Sequence, residues 1–201
     1  SNGETMKNNS KSKTLLALAL AIALAATGCS AQWINTALQD LPVLTQMALN
    51  IATLVSTLAA GQQASAADTA VIQNISAQAS RDLNLLQTLY NEYKATPNAN
   101  TLQKIEGAIS DLNQNLPTML QSAHISNPTV SARIAAAVNL ILTTVNSFAV
   151  LMPQASPSIA RKISPSPLLH AKDLKRQWNQ QVCAPTGNPL LDTAFAGNIL
   201  R

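Results

Sequence analysis

Apolar residues recur at three- and four-residue spacing through most of the chain, with amides, hydroxyls and a few charges filling the positions between. After Asp40, the residues Leu44, Met47, Ile51, Leu54, Val55 and Leu58 form one stripe, while Gln46, Asn50, Thr53 and Thr57 lie on another face. That is the period of a helix buried on one side. Asp40 reads as its N-cap, Pro42 falls in its first turn and Gly61 ends it. A second stripe, from Val71 and Ile72 through Ile75, Ala79, Leu83, Leu86, Leu89, Tyr90 and Tyr93, predicts a helix over residues 66–95 that Thr96-Pro97-Asn98 breaks. Leu102, Ile105, Ile109, Leu112, Leu116 and Met119 predict a third over residues 101–122, which Pro117 should kink or shorten. Asn127-Pro128 then supplies a cap and a first-turn proline for a fourth over residues 128–152.

Nothing in the chain alternates with the period of a strand. Four long helical segments joined by short connections predict an all-α fold, an antiparallel four-helix up-down bundle over residues 41–152. The fourth segment carries no charge from Ile134 through Ala160, and Arg161-Lys162 beyond it would suit a membrane span. Against a span, Asn139, Thr143, Asn146 and Ser147 share one face, and amides are costly in lipid. Burial in the bundle is the expected outcome.

From residue 153 the character changes. Pro153, Pro157, Pro165 and Pro167 with intervening serines make a Pro-rich linker, followed by a short basic helix over residues 168–181 carrying Lys172, Lys175, Arg176 and Trp178. Pro185, Gly187 and Pro189 break the chain again before a weakly apolar terminal segment. Charge follows the same division. Residues 29–152 hold four bases and six acids, a net −2, whereas residues 153–201 hold six bases and two acids, a net +4. The basic tail has two open fates: docking on the bundle through Leu168, Leu174 and Trp178, or serving as an interaction surface for an anionic partner through Lys172, Lys175, Arg176 and Trp178.

The start of the chain has another build. Lys7, Lys11 and Lys13 follow Met6, and residues 14–26 (TLLALALAIALAA) are an uncharged apolar run that ends in the small residues Ala26-Thr27-Gly28 before Cys29. A basic stretch, a short apolar core and a small-residue end are the parts of an export signal. With Cys29 at the end of it, the stretch resembles the signal of bacterial lipoproteins, although Ala26 stands where that class more often has Leu. The resemblance covers residues 6–30. It implies a diacylglyceryl group on the Cys29 thiol, cleavage between Gly28 and Cys29, and a membrane as partner. Ser30, where an Asp would favour retention in the inner membrane, implies the periplasmic face of the outer membrane. The same Ala26-x-Gly28 pattern also suits an ordinary signal peptidase, which would leave Cys29 unlipidated and able to pair with Cys183. The organisation expected is therefore a signal over residues 1–28, a lipid-anchored segment over 29–40, a bundle over 41–152 and a linker with a basic tail over 153–201. Residues 1–5 precede Met6 and carry none of the features of the signal.

Candidate chemistry is sparse. No phosphate-binding glycine loop, nucleophile elbow, zinc-protease helix or paired-cysteine motif is present. His124 and His170 have no ligand-type neighbours at helical spacing, His170 with Asp173 reads as a solvated charged pair, and Cys183 has no nearby histidine to activate it. No catalytic residue, metal or cofactor is expected. The readings that survive are a non-enzymatic envelope lipoprotein that binds another envelope protein or an anionic surface but no nucleic acid, and a carrier of a small apolar ligand held between helices near Asn139 and Asn146.

Overall fold

The computed structural model describes residues 9–62, 64–123, 125–152 and 169–201, with side chains from Trp33 onward. Among these residues there are six helices and no strand: α1 (Asn9–Ala60), α2 (Ala66–Ala95), α3 (Ala99–Ser122), α4 (Pro128–Leu151), α5 (Ala171–Gln181) and α6 (Pro189–Ala196). The fold is a helical bundle. α1 packs on α2 and α4, and α3 packs on the same two, so the four long helices close a ring around one core. α5 lies against α1 and α4, and α6 against α1.

Local chemistry explains most helix starts. Ser65 Oγ accepts from the Asp68 N–H at 3.0 Å to open α2, and Asn98 Oδ1 accepts from the Thr101 N–H at 2.8 Å to open α3. Asn127 and Asn188 each precede a proline and each accept two backbone N–H groups, opening α4 and α6. An asparagine cap followed by proline satisfies the free donors of a first turn and removes one of them. Pro189 thus begins a helix instead of breaking the chain, which corrects the reading of the terminal segment.

The first helix also departs from expectation. Asp40 caps nothing at the start of a helix, because α1 runs unbroken through it with Pro42 inside. The buried stripe simply continues upstream: Trp33, Ile34, Ala37 and Leu41 are all in the core. Burying large apolar side chains is worth about 1.5–3 kcal/mol each, enough to offset the roughly 3 kcal/mol disturbance of an interior proline. Pro117 behaves likewise in α3, which continues past it to Ser122.

α1 and α2 pair closely through small residues. Ser76 Oγ donates to the Ala48 carbonyl at 2.6 Å, and Tyr90 meets Trp33, so later positions of α2 face earlier ones of α1, as in antiparallel neighbours. At the start of α2, Asp68 accepts from Ser126 Oγ at 2.8 Å and ties that end to the α3–α4 connection. These hydrogen bonds hold the Asp68 carboxyl below the usual carboxylate range.

The core extends beyond residues 41–152 in both directions. It includes Trp33 and Ile34 on one side and Leu174, Trp178, Val182, Leu191 and Phe195 on the other. The Pro-rich linker at residues 153–168 and His124 lie outside the described residues. Leu54 and Ile141 are fully buried on α1 and α4. Replacing either with alanine should cost about 2–5 kcal/mol in urea denaturation. A loss well under 1 kcal/mol would contradict this core.

Candidate functional site

Cys29 falls within α1, four residues before Trp33, and its side chain lies outside the described residues. The end of the bundle nearest to it is aromatic. Trp33 stands edge-on to Tyr90 with ring centroids 5.5 Å apart and lies 6.5 Å from Tyr93, while Tyr90 meets Phe148 of α4 at 6.4 Å. The tyrosine pair therefore closes the end of a core. Burial pushes the Tyr90 phenol well above its ordinary range, and neither its hydroxyl nor Trp33 Nε1 has a hydrogen-bond partner among the described residues.

The basic tail folds back. Trp178 is fully buried, its Nε1 donating to the Asn198 carbonyl at 2.9 Å, so it does not belong to an exposed surface. Its place on α5, one turn after Leu174, makes it the apolar side of an amphipathic helix. Lys172 and Arg176 stay on the outer face, Arg176 paired with Asp173 at 2.7 Å, and Lys175 Nζ donates to the Arg201 carbonyl at 2.7 Å. Asn179 makes two hydrogen bonds with the Leu200 backbone, both at 2.9 Å.

Arg133 of α4 holds the end of α5 and the loop that follows it. Its guanidinium donates to the Gln181 and Ala184 carbonyls and lies over the Phe195 ring, 5.7 Å from the centroid. Periodicity places Arg133 only as a charged residue early in the fourth helix. Its role depends on a loop about 50 residues away, and nothing in the local pattern points there.

At the other end of α5, Asp40 is 1 % exposed, with the His170 side chain and the Ala171 N–H beside it. Burial outweighs both and raises its carboxyl to about 6. His170 therefore lies near Asp40 at the start of α5, and Asp173 is engaged by Arg176 instead of orienting it. Cys183 is a buried free thiol whose acidity burial weakens, to a pKa of about 11, despite nearby Arg133. A nucleophilic role would need the opposite shift.

Asn139 is exposed on α4, and Asn146 exchanges hydrogen bonds with Asn113 on the surface between α3 and α4, both at 2.8 Å. The amides proposed for a carrier site thus face outward. Trp33–Ala60 and Pro128–Leu151 are long and apolar enough to cross a membrane, but both supply the bundle's core. Among the described residues no cluster of His, Cys, Asp and Glu could hold a metal ion. Comparison with protein-family models, curated proteins and solved structures found no significant match.

Proposed function

We propose that the protein is a lipid-anchored helical bundle of the bacterial cell envelope, attached through acylated Cys29, with a non-enzymatic binding or structural role. The observation that carries this reading is the sequence Ala26-Thr27-Gly28-Cys29 at the end of a basic, apolar leader. Trp33 and Ile34, four and five residues after Cys29, belong to the core, and cleavage before Cys29 would keep both. Two or three acyl chains, at about 0.8 kcal/mol per buried CH₂, make a stable anchor without a spanning helix. Seating on the periplasmic face of the outer membrane follows from Ser30 by the same resemblance. The exposed cations Lys172 and Arg176 offer an anionic partner a surface on the docked tail.

The test is Cys29→Ala. Intact mass should lose the acyl groups, and the protein should appear either as uncleaved precursor or in the soluble envelope fraction. A processed variant that still partitions with membranes would overturn the reading.

A further inference from the structure

Only Ser30, Ala31 and Gln32 separate Cys29 from Trp33, which is 6 % exposed, and Ile34 follows it in the core at 2 %. As helix, the four-residue step from Cys29 to Trp33 advances about 6 Å, and even fully extended it would reach no more than about 14 Å. If acyl chains on Cys29 enter the bilayer, no slack remains for the domain to stand off or swing.

The end of the bundle that this short step would bring down is distinctive. Of the two tryptophans, two tyrosines and two phenylalanines in the chain, Trp33, Tyr90, Tyr93 and Phe148 gather there. These rings are core, none more than 7 % exposed, with Trp33 Nε1 and the Tyr90 hydroxyl sealed from solvent, so this end is a packed cap of the bundle. Around this end, Lys94 in the last turn of α2 and Lys104 near the start of α3 are exposed, and Val150 near the end of α4 is 42 % exposed. Glu92, which accepts from Thr101 Oγ1 at 2.8 Å, and the exposed Glu106 balance these two lysines. With these charges balanced, the short step from Cys29 sets the arrangement.

Resting on the lipid anchor proposed above, we infer that the protein stands end-on, with the Trp33–Tyr90–Tyr93 end and the α2–α3 turn seated directly on the headgroups of the phospholipid surface that holds the anchor. The basic face of α5 is then turned away from that membrane. α5 begins beside Asp40, about 17 Å along α1 from Cys29, and runs toward Arg133 and the opposite end. At physiological salt the screening length is about 8 Å, so its cations lie beyond effective reach of the headgroups.

The test uses full-length protein, its acylation checked by intact mass, in vesicles of phosphatidylethanolamine and phosphatidylglycerol containing a nitroxide-headgroup lipid. On a Cys183→Ala background, a dye is attached at Asn98→Cys in the α2–α3 turn or at Ala66→Cys, about 45 Å away at the other end of α2. Strong quenching at position 98 with none above background at 66 is the expected result. Inserting a flexible Gly-Ser segment between Ser30 and Ala31 should reduce quenching at 98 several-fold, while helix content and membrane partition are unchanged. Acylated protein with equal quenching at both positions, or with quenching unaffected by the insertion, overturns the end-on arrangement alone. A mass without acyl groups overturns the anchor and the arrangement together.

Discussion

Trp178→Ala should be the most destabilising single change in the C-terminal part of the chain, costing about 3–5 kcal/mol. The side chain is fully buried, lies between α5 and the core formed with α1 and α4, and gives its indole N–H to the Asn198 carbonyl. Removing it opens a cavity and leaves a buried carbonyl that must rely on Asn50 Nδ2, 3.2 Å away. Trp178→Phe should cost less, because most of the volume is kept while the hydrogen bond goes. Urea denaturation followed by far-UV circular dichroism reads both. A change within about 0.5 kcal/mol for the alanine variant, the range of an ordinary surface substitution, would mean that the tail is not part of the cooperative unit.

The second large effect is expected at Asp40 and has the opposite dependence on pH from an ordinary paired carboxylate. Its native value of about 6 lies above the unfolded 3.8, so the native state holds the proton longer. Stability from this group is fully present below about pH 4 and is lost as pH rises through about 6. At about 1.4 kcal/mol per unit, the loss is on the order of 2–3 kcal/mol. Asp40→Asn keeps an oxygen for the Ala171 N–H but cannot ionise, so the difference in stability between variant and wild type should shift by that amount in favour of asparagine between pH 4 and pH 7. Asp68 and Asp192 are held down by hydrogen bonds from Ser126 and Thr186. Their contributions are lost only as pH falls below the ordinary carboxylate value, outside this window. Parallel pH profiles for the two proteins would show that the ionised Asp40 carboxylate is fully compensated by His170 and the start of α5.

Far less of the candidate surface than of the fold was legible in the residues. The stripes at Leu44 to Leu58, Ile72 to Tyr93 and Leu102 to Leu116 are local periodic signals, and each corresponds to a buried helix face. The cap at Asn127 depends on a side chain two or three residues from the groups it satisfies, so it too is read locally, whereas Asn98, read only as part of a break, also caps α3. Asn188-Pro189 carries the same signal as Asn127-Pro128, and the prolines and glycine around it point to a broken chain while the structure uses it to open α6.

What sequence alone determined was the helical class and the boundaries of α2 and α4 to within a residue, because hydrophobic period and capping act over a few residues. Tertiary structure decided the rest. Asp40 becomes a buried acid under α5 instead of a cap, and Pro42 is carried inside α1, because the core continues upstream to Trp33. Trp178 turns from an exposed aromatic beside three cations into core, because α1 and α4 leave a groove that its amphipathic helix fills. Arg133 acquires its role from carbonyls at Gln181 and Ala184 that only the folded chain brings to it. Each of these depends on contacts far apart in sequence, and a burial energy of several kcal/mol shared among distant residues outweighs local preferences worth about 1 kcal/mol or less.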